Sequence, residues 1–233
     1  MPALIRVGHK GANAIIAGNT LASFDAALAA GVDMIEFDVL AERRDGGGEL
    51  FVAHDRGVLS RVAAPTLRAA LAHLTSEPFA GIRLQVDIKQ RGHEQRVVDL
   101  LNDYGAFERA FVSTGIWRAL ETFRAIAPEL QIGWTVPGIL GVSGTPLITP
   151  SFGRIYTALL PRRAAGRIRA GKIDALVPHQ QVVTARLVEA VHGAGGEVYV
   201  WTVDDATEIR RLADLGVDGV ITNDPRLFAV ALS

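Results

Sequence analysis

The first residues able to do chemistry stand in the run Val7-Gly8-His9-Lys10-Gly11, where an imidazole and an ammonium follow an apolar stretch and precede a turn-permitting glycine. Imidazole ordinarily changes charge near neutral pH, which makes His9 a candidate acid or base. Further on, Met34-Ile35-Glu36-Phe37-Asp38-Val39 sets Glu36 and Asp38 two residues apart. Strand alternation then puts both carboxylates on one face and Ile35, Phe37 and Val39 on the other. Two carboxylates turned into a core are costly unless a cation neutralises them or basic groups pair with them. We read them as cation ligands.

A turn signal, Asp45-Gly46-Gly47-Gly48, leads into a short strand, Leu50–Ala53, that delivers His54-Asp55. The segment Gln85-Val86-Asp87-Ile88-Lys89 repeats the two-residue spacing with Asp87 and Lys89. Hard oxygen ligands point to Mg²⁺ or Ca²⁺ rather than zinc. Histidines beside such a cation suit general acid and base roles, and lysines suit a phosphate.

The elements that must position these groups alternate along the chain. Strands are expected at Ala3–Val7, Met34–Val39, Ile82–Ile88, Ala110–Ser113, Gln131–Thr135, Ala175–Val177, Val198–Thr202 and Gly219–Thr222. Helical patterns fill the intervals, among them Thr20–Ala30, Arg91–Asp103, Ile116–Ala125, Thr184–Ala194 and Ala206–Leu215. Eight strands alternating with helices over this length suggest a (β/α)₈ TIM barrel, with a doubly wound open sheet as the alternative. The barrel is favoured because no glycine-rich dinucleotide loop follows the first strand. The polar residues also gather just after strands, where barrel active sites sit. No linker or charge block marks a boundary, so residues 1–233 are expected to form one domain. The weakest stretch is Pro137–Arg169, which reads as a long loop plus one irregular helix.

Composition narrows the class. With 49% apolar and 21% charged residues, the 233-residue chain is a globular protein with a sizeable core. Twenty-four basic against 25 acidic residues leave a net charge of −1, which is no nucleic-acid footprint. Zero cysteines exclude disulfides, thiolate metal sites and a cysteine nucleophile. Neither a membrane-spanning apolar run nor a signal peptide is recognised, so a cytoplasmic location is expected. The oligomeric state is not legible.

The sequence resembles the glycerophosphodiester phosphodiesterase family. The family's opening His-Arg-Gly, Glu-Asn-Thr and Glu-x-Asp are similar to His9-Lys10-Gly11, Asn19-Thr20 and Glu36-Phe37-Asp38. Its second His-Asp pair is matched by His54-Asp55, and its Glu-Ile-Lys strand by Asp87-Ile88-Lys89. Trp201-Thr202-Val203-Asp204 looks like Trp-Thr-Val-Asn, and Gly219 to Pro225 fits the last-strand signature. The resemblance implies His9 and His54 as the acid/base pair and Glu36, Asp38 and Asp87 as ligands of one divalent cation. It also implies Lys10 and Lys89 facing the phosphate and Trp201 lining the substrate pocket. The implied reaction cleaves a small glycerophosphodiester to glycerol 3-phosphate and an alcohol. The substrate's own glycerol hydroxyl attacks phosphorus, and one histidine protonates the leaving alcohol.

The chain departs from that pattern in four places. Lys10 replaces arginine, keeping charge but losing the planar fork. Gly18 stands where a glutamate is usual. Asp87 replaces glutamate, one methylene shorter. The segment between His54 and Asp87 is short, with Pro65-Thr66-Leu67 as its remnant, so the alcohol's identity is not implied.

Other features read as structural. Gly166 to Ile173 nearly matches a P-loop, but Ile173 replaces the hydroxyl residue and no strand precedes it. The cluster Arg162, Arg163, Arg167, Arg169 and Lys172 reads as a solvated helix face. Surface roles are expected for His73, His93 and His192, and core roles for Trp117 and Trp134, while His179 is a candidate substrate contact. Two further readings stay open: a lysophospholipase D-type enzyme, to which the apolar stretch Gly138 to Ile148 leans, and a non-catalytic barrel binding phosphate esters.

Overall fold

The structure is a computed structural model and describes residues 3–59, 64–138 and 150–233. In chain order it runs β1 (Ile5–Gly8), α1 (Leu21–Ala29), β2 (Met34–Ala41), β3 (Leu50–Val52), α2 (Arg56–Leu59), α3 (Leu67–Leu74), β4 (Arg83–Ile88), α4 (Glu94–Asp103) and β5 (Ala110–Thr114). It continues with α5 (Trp117–Ile126), β6 (Gln131–Val136), α6 (Pro150–Arg169), β7 (Ala175–Pro178), α7 (Ala185–His192), β8 (Glu197–Val200), α8 (Ala206–Asp214), β9 (Gly219–Thr222) and α9 (Leu227–Ala231). Eight strands pair in parallel in the order β1-β2-β4-β5-β6-β7-β8-β9, and β9 pairs back onto β1. The sheet therefore closes into a TIM barrel, and the open-sheet alternative falls. The ninth strand, β3, lies antiparallel on the C-terminal half of β2, with Val39 opposite Val52 and Ala41 opposite Leu50.

Strand alternation explains which side chains fill the barrel. Val7, Met34, Phe111, Ala175, Val177, Tyr199 and Ile221 form the interior cluster. Their neighbours Ile35, Phe37 and Val39 face the outer core, where Phe24 of α1 meets Phe37 with ring centroids 5.7 Å apart. Two glycines make room for the interior rings. A Cβ on Gly133 would lie 2.5 Å from Phe111, and one on Gly219 would lie 2.5 Å from Tyr199. At the N-terminal end of the strands a polar layer closes the barrel. There Arg83 donates to Gln131 and to the Tyr199 hydroxyl, and Gln131 and Tyr199 both donate to Glu197.

The helices start where side-chain oxygens cap their free N–H groups. Thr20 forms a reciprocal capping box with Ser23 at α1, Thr66 caps α3, Thr184 caps α7 and Asp205 caps α8. Between His54 and Asp87 the described residues form the short α2 and then α3, and α3, with Leu67, Leu71 and Leu74 buried, supplies the crossover from the β2–β3 hairpin to β4.

The expectation for Pro137–Arg169 resolves in part. Residues 150–169 form α6 despite Pro161 within it, and 139–149 lie outside the described residues, as does most of the apolar stretch noted above. The guanidinium of Arg167 sits 3.9 Å from the Trp117 ring centroid and 3.8 Å from that of Trp134. These tryptophans thus hold α6 against the barrel. The P-loop-like run ends this helix rather than following a strand.

His73 and His192 bond Asp25 and Asp218 at 2.8 Å each. His93 corrects its expectation. It is 2% exposed, not a surface residue, because the turn before α4 folds it inward. No described helix is long and apolar enough to cross a membrane.

Candidate active site

Every strand of a closed parallel barrel delivers its last inward residue to the same end. Here that end holds a cavity of about 340 Å³. Its polar wall comprises His9 and Lys10 from the end of β1, Glu36 from β2, His54 after β3, and Asp87 and Lys89 from β4 and its end. Opposite stands an apolar wall of Val177, Trp201 and Ile221. Asp38 is fully buried beside it. The residues singled out from sequence therefore converge, and the remaining one, Trp201, is fixed by its indole N–H donating to the Val177 carbonyl at 2.9 Å. A larger recess, about 850 Å³, lies at the opposite end between α7 and α8, away from these groups.

Register builds the carboxylate cluster. Asp38 pairs with Asp87 and Glu36 with Gln85 across β2 and β4, so all four side chains turn inward. One oxygen from each of Glu36, Asp38 and Asp87 lies within 4.8 Å of the others. Burial, then Asp38 and Asp87, push the Glu36 carboxyl well above the usual carboxylate range. Burial alone would raise Asp38 too, but Lys89, Lys10 and Asn19 outweigh it and hold this carboxyl low. Lys89 places its Nζ 2.8 Å from Asp38 Oδ1 and 2.5 Å from Asp87 Oδ2. Burial works against its charge, but the three carboxylates prevail and push its pKa up. Lys10 Nζ lies 3.5 Å from Asp38 Oδ2.

Several neighbours orient these groups, and of them only Asn19, in the motif-like Asn19-Thr20, is marked in the sequence. Asn19 clasps Asp38 with both ends of its amide, donating to Oδ2 at 2.8 Å and accepting the Asp38 N–H at 3.1 Å. It adopts a left-handed φ of 60° to do so, a conformation asparagine tolerates better than most. Ser113 and Thr135 donate to Asp87 Oδ1 at 2.6 and 3.2 Å. Strand alternation through Asp87 and its register partner Ser113 would have found the first of these.

The two histidines occupy different surroundings. The His9 side chain is 18% exposed, and its Nε2 lies 3.8 Å from Glu36 Oε2. Burial lowers its pKa, the bond to Asn223 partly opposes this, and Lys10 adds to the lowering. His54 is half-exposed, with Nδ1 3.4 Å from Asp55 Oδ2. His179 is not in the cavity wall. It packs edge-on against Trp201, with ring centroids 5.3 Å apart, so its expected contact with substrate becomes a contact with the residue lining the pocket.

Fold and site together define an enzyme of the TIM-barrel class. The model of the glycerophosphoryl diester phosphodiesterase family matches residues 9–110 and 65–227. Similar proteins include a glycerophosphodiester phosphodiesterase of Arabidopsis thaliana, GDPD4, 27% identical over 94% of this chain and 70% of its own length. Another, from Caldanaerobacter subterraneus subsp. tengcongensis, is 26% identical over 94% and 93% of the two chains. Among solved structures, an Oleispira antarctica phosphodiesterase in complex with the product sn-glycerol-3-phosphate superposes with a TM-score of 0.76 at 22% identity, covering 98% of this chain and 97% of that one. A glycerophosphodiester phosphodiesterase from Agrobacterium tumefaciens gives 0.73 at 22%, covering 98% and 100%. The chain belongs to the glycerophosphoryl diester phosphodiesterase family.

Proposed function

We propose that this protein hydrolyses small, deacylated glycerophosphodiesters to glycerol 3-phosphate and an alcohol, with a divalent cation, Mg²⁺ or Ca²⁺, held by Glu36, Asp38 and Asp87. The observation that carries the reading is the buried carboxylate trio within one cavity wall that also bears His9, His54, Lys10 and Lys89. The donor set fits such a cation. It consists of hard oxygens only, and burial with mutual repulsion has already pushed Glu36 toward protonation, which a divalent charge would relieve. When bound, the cation polarises the phosphoryl oxygens and neutralises charge developing on them.

The chain's own residues account for the remainder. Lys10 and Lys89 hold the phosphate as point charges. His9, kept neutral by burial, takes the proton from the glycerol hydroxyl as that oxygen attacks phosphorus. His54, open to water on one side, gives a proton to the departing alcohol oxygen. Water then reopens the cyclic ester with the two roles reversed, yielding glycerol 3-phosphate. Val177, Trp201 and Ile221 pack against the glycerol carbons and leave the polar wall to the phosphate. That the Oleispira relative carries sn-glycerol-3-phosphate supports this product class.

The test is glycerol 3-phosphate release from glycerophosphocholine and glycerophosphoethanolamine with Mg²⁺, with Ca²⁺ and with EDTA. Release that EDTA abolishes is expected. Release unaffected by EDTA would remove the cation from the mechanism, and turnover of lysophosphatidylcholine alone would move the substrate to acylated lipids.

A further inference from the structure

The Nδ1 atom of His9 lies 2.7 Å from Oδ1 of Asn223, a residue 214 positions later in the chain. Which of the two donates depends on which way the asparagine amide faces, and its surroundings decide that. Asp204 can only accept as a carboxylate, and three groups of the following strand end reach it. Its Oδ1 receives the Asn223 backbone N–H at 2.8 Å and the Thr222 hydroxyl at 3.0 Å, while its Oδ2 lies 2.6 Å from the Asn223 side-chain nitrogen. Reversing the amide would set a carbonyl oxygen against a carboxylate oxygen and forfeit a charge-assisted bond. A second amide agrees. Asn13 accepts the Gly18 N–H on its Oδ1 at 3.0 Å, so its Nδ2 is the end that donates to Asn223 Oδ1, at 3.1 Å. The Asn223 oxygen thus faces His9 and can only accept, so His9 Nδ1 must carry the hydrogen.

We infer that Asp204 and Asn223 form a positioning pair that fixes His9 in its Nδ1–H tautomer and leaves the Nε2 lone pair as the base of the reaction. Neither residue lines the cavity; both act through His9. The inference rests on the role proposed for His9 above. It assigns a role to Asp204, where the resembling family motif has asparagine. With an amide at both positions the logic inverts. In the Asp204→Asn variant the new side chain keeps its oxygen on the backbone N–H and Thr222, and turns its NH₂ toward position 223. Asn223 then presents its oxygen to that NH₂ and its own NH₂ to His9, and Asn13 turns its amide to accept from Asn223, giving up the Gly18 N–H. The imidazole must accept at Nδ1 and carry its hydrogen on Nε2, where it cannot act as base.

The experiment compares wild type, Asp204→Asn and the exchanged double variant Asp204→Asn/Asn223→Asp. It uses ¹⁵N-histidine NMR, with the His9 signal assigned by its loss in His9→Gln, alongside kinetics on glycerophosphocholine. Wild-type His9 is expected to show Nδ1–H. The single variant should show Nε2–H, with kcat lower by about 10²-fold or more and KM little changed, the scale that general-base catalysis supplies. The double variant restores a carboxylate acceptor opposite Nδ1 and should recover both the tautomer and most of kcat. Nε2–H in the wild type, or a folded single variant unchanged in tautomer and kcat, overturns the pairing. A folded double variant that stays in the Nε2–H form overturns it as well. A wild type with the Nδ1–H signature that turns over no diester instead sinks the proposed reaction and leaves the tautomer result standing.

Discussion

A Cβ on Gly18 would lie 2.7 Å from Cβ of Lys10, and 2.5 Å from Oδ1 of Asn13. Two of the chain's departures from the family's opening motif therefore stand side by side, and the glycine leaves room for the Cβ at position 10 and for the Asn13 side chain. Lys10 itself holds a left-handed φ of 52° with its backbone N–H on Glu36 Oε2, so it has little freedom to retreat. Gly18→Ala is expected to cost about 1–3 kcal/mol by overpacking and to lower kcat/KM by shifting Lys10 away from Asp38. Thermal unfolding and initial rates check this; a variant with wild-type values in both would show the loop to be looser than its geometry.

The carboxylate trio should trade stability for chemistry. The folded-state pKa of Glu36 is raised, so the folded protein binds its proton more tightly than the unfolded chain does. Ionised Glu36 is destabilising at neutral pH, and the penalty shrinks as pH falls through the raised pKa. In EDTA, Glu36→Gln is expected to melt higher than wild type at pH 7, by a few degrees for each kcal/mol relieved, and to lose its advantage on acidification. Turnover in the presence of Mg²⁺ should vanish in the same variant. A lower melting temperature in EDTA would mean the charge is already well compensated.

His93 sets an acid limit on the fold. Its imidazole is buried, neither ring nitrogen has a hydrogen-bond partner among the described residues, and burial lowers its pKa from 6.5. Below about that pH the unfolded chain takes up a proton that the folded protein resists, so stability falls as pH drops and is unaffected above neutrality. His9, lowered for the same first reason, contributes in the same direction. The difference between wild type and His93→Leu isolates the former. Melting curves from pH 7 to pH 5 should converge at the neutral end and diverge in acid, with the variant higher; parallel curves would refute the assignment.

Much of the site could be read from spacing. Period-two alternation turned Glu36 and Asp38, then Asp87 and Lys89, toward one face, and the polar residues just after strands marked the mouth of the barrel. What escaped lies where periodicity carries no signal. His93 occupies the turn before a helix, where the pattern of the helix says nothing about which way the side chain faces. The Asp204–Asn223 contact joins two loops, and its meaning depends on hydrogen-bond direction. The antiparallel course of β3 was equally silent, because a three-residue strand has no directional mark. Strand edges moved slightly: Ala3–Val7 became Ile5–Gly8, and Val198–Thr202 became Glu197–Val200.

The polar layer at the far end of the barrel should matter to stability alone. Tyr199→Phe deletes the hydroxyl that donates to Glu197 at 2.9 Å and accepts from Arg83 at 3.2 Å. The expected loss is about 1–3 kcal/mol with kcat unchanged, measured by denaturant unfolding and steady-state kinetics. An altered kcat would show that strain at one end of the strands reaches the other.

The pairing of β9 with β1 has a kinetic corollary. His9 meets Asn223 only when the last strand docks on the first, a contact between opposite ends of the chain. Contacts of such long sequence separation form late, because the loop entropy of closing them must be met first. Any folding intermediate lacking β9 can hold Glu36, Asp38 and Asp87 in register and still leave His9 without its partner. During refolding, recovery of turnover should therefore trail recovery of helical signal, and the enzyme's own reaction becomes a clock for ring closure.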